Sequence, residues 1–214
     1  LDLLKVAKKR RDSLQIELLN TQTEQVKSIH DVYLLQQEKD RNYRYLQVII
    51  ISFLVGTVSV DAYALTGWKF STISESYKWG NNISKVSSSY KNAFIKAVDS
   101  WNNAVNVKYS YHYNSKNTCD TYSKSSNSEY GTTVTTYNSN KKVVEFHSKI
   151  NSANTNITGN VYQSVAAHEL GHPYGLGDLS SGNSLMSHAR NRNTIYKPQT
   201  DDINGIKRIY PEWY

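Results

Sequence analysis

The spacing of apolar and polar residues predicts alternating strands and helices from residue 68 onward. Residues 68–79 alternate in character and predict a strand. A helix is predicted from Ser88, because apolar residues recur there on one helical face, at Tyr90, Phe94, Ala97, Trp101 and Ala104. Period-two alternation predicts a strand over 105–113. Two more strands, over 132–137 and 143–146, are predicted on either side of an Asn-Ser-Asn turn.

The rest of this region divides into a loop and two further helices. Residues 114–128 are rich in Ser, Asn and Lys, which predicts a loop. A helix is predicted from Asn160, with Gln163 three residues later completing a capping box. A short last helix is predicted after Thr200, because two aspartates suit its positive N-terminus and Pro211 stands beyond its end.

The N-terminal segments have a different character from the remainder. Residues 1–45 are predicted to form a polar helical arm, to which we assign no function; its first residue is not methionine, so untranslated sequence is one interpretation. An uncharged apolar run follows at 46–60, with basic residues before it and a small-x-small pattern ending at Ala64 after it. These features predict that 46–64 is a secretory signal peptide, with a retained membrane anchor as the alternative. Residues 65–214 then have the size of one domain.

The amino-acid composition limits the kinds of metal site and partner that the chain can have. The chain has 214 residues, a net charge of +7 and a single cysteine, Cys119. An intramolecular disulfide and a multi-thiolate metal site are therefore excluded, and any metal must be held by histidine or carboxylate. The basic residues are scattered and no aromatic-basic repeat indicates a nucleic-acid groove, so we predict no nucleic-acid partner.

A metal-binding motif stands on the helix predicted from Asn160. His168 and His172 are four residues apart, which places both imidazoles on one face of a helix, one turn apart. Two neutral imidazoles suit zinc. Glu169, next to the first histidine, can reach a water on the metal as general base.

The residues after the motif extend it. Gly175 can end the helix and turn the chain, Asp178 stands where a third ligand would return, and Met186 is the only methionine. The whole segment resembles the metzincin signature H-E-x-x-H-x-x-G-x-x-H/D followed by a Met-turn, in its aspartate variant. The stretches 93–101 and 200–210 are similar to the first and closing helices of the matrixins.

The resemblance implies an α+β fold for the matrixin-like domain. It implies a twisted, mainly parallel sheet with an antiparallel edge strand beside the cleft, a long active-site helix and a small C-terminal subdomain. It also implies one catalytic zinc ion held by His168, His172 and Asp178, with Glu169 as general base and Met186 as a hydrophobic floor. His188 follows Met186 by two residues, where some metzincins place a tyrosine near the zinc, and we interpret it as a cleft-wall residue.

Two departures from the family pattern matter. Asp178 replaces the commoner histidine and adds negative charge to the site. Pro173 follows the second ligand and cannot donate a hydrogen bond to the carbonyl of Glu169, so the helix must kink or end early, with the site either tolerant or distorted. Cys119 lacks the surroundings of a cysteine switch.

We therefore expect a secreted, monomeric zinc endopeptidase acting on proteins or peptides. The alternative is a membrane-anchored or wall-associated zinc-binding interaction protein without proteolytic activity, and membrane contact is expected only if 46–60 is retained. A second alternative is a peptidase or amidase of cell-wall peptides that uses the same site chemistry.

Overall fold

A computed structural model describes residues 4–8, 10 and 63–214. The chain divides into two compact units, Leu1–Val60 and Asp61–Tyr214, and the described residues of the first unit are helical and exposed. Most of the predicted arm and of the predicted signal or anchor segment lies outside the described residues, so their interpretation stays a prediction. Among the residues described, none belongs to a helix long and apolar enough to cross a membrane.

The second unit contains seven strands and three α-helices in its described part. In chain order they are β1 (Ala64–Leu65), β2 (Ser74–Trp79), α1 (Ser88–Ala104), β3 (Lys108–Tyr111), β4 (Thr118–Tyr122), β5 (Gly131–Tyr137), β6 (Val143–Asn151), α2 (Val161–Tyr174), β7 (Leu176–Gly177) and α3 (Thr200–Ile209). Short 3-10 helices lie at Ile83–Lys85 and Pro211–Trp213.

Five strands form one mixed sheet in the order β3-β2-β4-β6-β5. Four neighbouring strands, β3, β2, β4 and β6, run parallel to one another. The edge strand β5 pairs antiparallel with β6. β1 and β7 form a separate antiparallel pair. The α+β fold with a mainly parallel sheet and an antiparallel edge strand, expected from the resemblance, is confirmed.

The two long helices pack against each other and form the core with the sheet. The helix predicted from Ser88 is confirmed as α1, which begins where the Ser87 hydroxyl accepts a hydrogen bond from the Ser89 N–H. Its apolar face is buried, and the indole of Trp101 donates to the carbonyl of Ala167 on α2 at 2.8 Å. α2 is buried along most of its length, so its position is set by contacts on several sides.

The prediction of a loop over 114–128 is wrong, because β4 lies within that stretch at the centre of the sheet. Cys119 and Asp120 are buried there rather than exposed in a loop. The Asp120 carboxylate accepts backbone hydrogen bonds from Asn82 at 3.0 Å and Ile83 at 2.7 Å. The polar composition of this stretch suggested a loop. A polar side chain can nevertheless be buried in a strand when it bonds backbone groups of another segment, as Asp120 does, and only the tertiary structure brings those groups together.

Two of the predicted strands begin later in the structure than in the prediction. The strand predicted over 105–113 begins only at Lys108, because the N–H of Val105 bonds the carbonyl of Trp101 and completes the end of α1. The strand predicted over 68–79 is regular only from Ser74, after an isolated bridge at Lys69.

The predicted capping box at the start of α2 is also absent. The side chain of Asn160 makes no cap bond and donates instead to the carbonyl of Asn193 at 3.0 Å. Gln163 donates to the carbonyl of Lys96 at 3.5 Å. Both side chains therefore tie α2 to neighbouring segments. The predicted last helix after Thr200 is confirmed as α3.

Candidate active site

The two motif histidines lie on one face of α2, and each ring is held by a contact between its Nδ1 atom and a backbone carbonyl oxygen. The Nδ1 atom of His168 lies 3.0 Å from the carbonyl oxygen of Leu185, and that of His172 lies 3.0 Å from the carbonyl oxygen of Leu176. A carbonyl can only accept, so each Nδ1 carries the hydrogen and each Nε2 keeps a free lone pair. Both lone pairs are then available on the side of the ring that faces Asp178.

Asp178 meets both imidazoles at a single oxygen. Its Oδ1 lies 3.1 Å from Nε2 of His168 and 3.6 Å from Nε2 of His172. Ligand atoms bound at zinc's usual distances in a tetrahedron are separated by about 3.3 Å, so the two distances from Asp178 to the imidazoles suit zinc ligands. Asp178 reaches this point because Gly175 ends α2 with φ of 107° and the chain then runs through β7.

His188 stands on the open side of the same group. Its Nε2 lies 2.9 Å from Oδ1 of Asp178, and its side chain is 62% exposed. Ligand atoms of His168, Asp178 and His188 all lie within 4.8 Å of one another. The residue interpreted from the sequence as part of the cleft wall thus also lies within reach of the candidate ligands.

The protonation states suit metal binding. Burial lowers the pKa of His168 to about 4 and also lowers the pKa of His172. Burial alone would raise the pKa of Asp178, but the imidazoles of His168 and His172 beside its carboxylate hold that pKa well below the usual range. At neutral pH the site therefore presents neutral imidazoles and an ionised carboxylate, as metal ligation requires.

Glu169 lines the same cleft as the two histidines, and its carboxyl contacts β5. It is buried, and burial raises the pKa of its carboxyl to about 8. The hydroxyl of Thr133 on β5 lies 2.8 Å from its Oε2 atom. A carboxyl with a pKa near neutrality is suited to accept and return a proton at physiological pH.

α2 accommodates Pro173 in its last turn. α2 continues to Tyr174 and ends at Gly175, so the proline lies inside the last turn. The carbonyl oxygen of Glu169, which loses its helical partner at Pro173, lies within hydrogen-bond distance of the hydroxyls of Thr133, at 2.9 Å, and Ser148, at 3.3 Å. The sheet thus supplies a replacement donor.

The side chain of Met186 packs against α2 at Gly171. Its side chain is buried against Gly171, where an added Cβ would lie 2.4 Å from the Met186 sulfur. Gly171 lies between the two histidines along α2, so glycine is required there for the methionine to approach the helix.

Two residues that support the site were missed by sequence reasoning. Asp202, assigned only to the start of α3, is buried and accepts hydrogen bonds from the N–H groups of Leu185 at 2.7 Å and Met186 at 3.1 Å. Buried Arg190 donates to Ser164 on α2. The helix-start pattern located Asp202 in sequence, but nothing in the sequence showed what it contacts.

An open cleft of about 500 Å³ runs past these residues. Its walls include the candidate ligands and Glu169 on one side and Arg190 and Arg192 after the Met-turn. Another side is formed by Tyr130 and, on β5, by residues 131–133 and Thr135. The guanidinium of Arg192 lies 4.1 Å from the ring centre of Tyr130. A substrate in this cleft would therefore lie beside β5.

A mainly parallel sheet, an antiparallel edge strand along a cleft and a helix carrying two converging imidazoles are the architecture of a metzincin-type peptidase. The matrixin family model matches residues 68–211, more than half of the chain, and the protein belongs to the matrixin family. This membership implies zinc-dependent endopeptidase activity. A comparison with curated proteins found no match.

Proposed function

We propose that this chain is a secreted zinc endopeptidase in which His168, His172 and Asp178 hold one catalytic zinc ion and Glu169 carries the proton. The observation that supports this most is the convergence of two imidazole nitrogens on Oδ1 of Asp178, at 3.1 and 3.6 Å, within an open cleft. His188 is assigned to the cleft wall beside the third ligand.

The chain's own residues can then perform each step of peptide hydrolysis. Zinc, when bound, supplies a Lewis acid that polarises water and the scissile carbonyl. Glu169 takes a proton from the attacking water and delivers it to the nitrogen of the leaving amine, which balances the hydrolysis. Its pKa of about 8 makes both transfers accessible near neutral pH.

The substrate backbone is proposed to bind along β5. This strand pairs with β6 on one side and is the last strand of the described sheet, so its other edge offers unpaired N–H and C=O groups. An extended peptide can pair with such an edge as an additional strand. Backbone pairing of this kind would favour an extended segment of a protein or peptide over a folded one.

Export is proposed from the apolar run at 46–60, with the membrane-anchored form as the alternative. Cleavage after Ala64 would divide β1, in which Ala64 pairs with Gly177 and Leu65 with Leu176. The hydrogen bond from the N–H of Thr66 to the carbonyl of Gly175, at 2.9 Å, would remain. The N-terminal sequence and intact mass of protein recovered from culture medium test this proposal.

The activity is tested by hydrolysis of an unfolded protein by the purified chain. We expect cleavage to be lost on chelation, restored by zinc, and lost in Glu169→Gln. Glu145→Gln is the matched control, because Glu145 is on β6 outside the cleft-lining residues. A folded, zinc-loaded chain that cleaves neither protein nor cell-wall peptides would refute the peptidase assignment and favour a binding role, and cleavage of wall peptides alone would redirect the substrate class.

A further inference from the structure

The edge strand β5 encloses the carboxylate of Glu169 on two sides. The hydroxyl of Thr133 lies 2.8 Å from Oε2 and 2.9 Å from the backbone carbonyl oxygen of the same glutamate. On the other side, a Cβ added at Gly131 would lie 2.5 Å from Oε1. The carboxylate therefore fits between a hydroxyl and a bare backbone carbon, two residues apart on one strand.

The number of hydroxyl hydrogens available near Glu169 determines which of its two acceptor groups Thr133 bonds. The carbonyl of Glu169 needs a donor because Pro173 has no N–H, and Ser148 can supply one at 3.3 Å. Ser148 is fully buried, so its hydroxyl has no competing contact with water. The Thr133 hydroxyl oxygen also lies 3.1 Å from the hydroxyl oxygen of Ser148. Its one hydrogen bonds Oε2 of Glu169 best, because the carboxylate oxygen, at 2.8 Å, is the closest of its acceptors and the only one that can carry charge.

We infer that Thr133 is a positioning residue that holds the Glu169 carboxylate in the orientation needed for proton transfer, with Gly131 providing the space. The inference rests on the proposed function of Glu169. A hydroxyl both donates and accepts, so the contact persists whether the carboxyl is ionised or carries the proton. The orientation of the carboxyl can thus be kept through the whole reaction.

Ser184 provides a comparison outside the residues that line the cleft. Its hydroxyl is buried and, among the residues that the structure describes, has no hydrogen-bond partner. Replacing Ser184 by alanine therefore removes a hydroxyl without removing a hydrogen bond. Replacing Thr133 by valine keeps the side-chain shape and removes the bond to Glu169.

The test compares Thr133→Val, Thr133→Ser and Ser184→Ala in the full chain with bound zinc. For Thr133→Val we expect kcat to fall about ten- to a hundredfold, the loss typical of a deleted hydrogen bond to a charged group. KM and zinc content should stay unchanged, because the backbone edge of β5 and the candidate metal ligands are kept. Thr133→Ser should recover most of kcat, and Ser184→Ala should match the wild type.

A crystal structure of zinc-loaded Thr133→Val gives a readout that is independent of activity. We expect the Glu169 carboxylate to rotate or become disordered while His168 and His172 stay in place. A kcat of Thr133→Val within twofold of the wild type, or equal losses in Thr133→Val and Ser184→Ala, would overturn the inference. If the wild type itself does not hydrolyse peptides, the proposed function fails, and an unchanged carboxylate orientation in the variant would separately refute the positioning role.

Discussion

Asp202 is predicted to stabilise the site from a distance through backbone hydrogen bonds. Its buried carboxylate accepts from the N–H groups of Leu185 at 2.7 Å, Met186 at 3.1 Å and Gln199 at 2.8 Å. The carbonyl of Leu185 in turn contacts Nδ1 of His168 at 3.0 Å. One carboxylate thus connects the start of α3, the Met-turn and the first candidate ligand.

The substitution Asp202→Asn preserves shape and changes one acceptor oxygen into a donor. At least one buried N–H then loses its partner, which costs about 1–3 kcal/mol, and the remaining bonds lose their charge assistance. We expect a total loss of about 2–3 kcal/mol in unfolding free energy. For a domain of about 150 residues this corresponds to a fall in Tm of about 5–10 °C.

The assay is thermal unfolding of the chelator-treated chain, followed by zinc titration. Asp201→Asn is the matched control, because Asp201 lies in the same first turn but only partly buried. Zinc affinity should also fall by about tenfold in Asp202→Asn, since the partner that orients His168 is displaced. If the two variants unfold within one or two degrees of each other and bind zinc equally, the reasoning is wrong.

Three other predictions concern Glu169, Gly175 and Asp178. The pKa of Glu169 is raised to about 8 from an ordinary 4.5, so the folded chain holds this proton more tightly than the unfolded chain does. The contribution of Glu169 to stability is therefore fully present below pH 4.5 and is lost as pH rises toward 8. Glu169→Gln should stabilise the metal-free chain by a few kcal/mol at pH 8 but not at pH 4.5. Urea unfolding at both pH values measures this, and an equal difference at each would contradict it. Gly175→Ala should lower Tm and zinc content more than Gly182→Ala, because both have positive φ but only at Gly175 would a Cβ meet backbone, 2.4 Å from the carbonyl oxygen of Trp68. The negative charge of Asp178 should place the acid limb of the pH-rate profile higher than in Asp178→His, and coincident or reversed profiles would contradict this.

Helix periodicity predicted the fold more reliably than strand or loop composition did. α1 and α3 appeared where amphipathic spacing and helix-end residues indicated, because those signals act within a few residues of sequence. β4 was missed because its buried side chains include polar ones. Asp120 is an example, since its burial is stabilised by N–H groups from a turn nearly 40 positions away. A composition-based prediction has no access to such partners.

The two candidate histidine ligands were predicted from spacing, because four residues on a helix place two imidazoles on one face whatever surrounds them. The same local geometry could not decide whether Pro173 distorts the site. That depended on the sheet, where the hydroxyl of Ser148 on β6 lies within hydrogen-bond distance of the carbonyl that proline leaves free.

The sequence by itself therefore determined the identity and order of the candidate metal ligands, the Met-turn segment and the helices that carry or follow them. Only the tertiary structure decided which groups hold those residues in place: the carbonyls behind the histidines, the carboxylate of Asp202 behind the Met-turn, and the strand β5 beside Glu169. The physical reason is that ligand spacing is a property of one helix, whereas hydrogen-bond satisfaction of buried groups depends on segments that meet only in the folded chain.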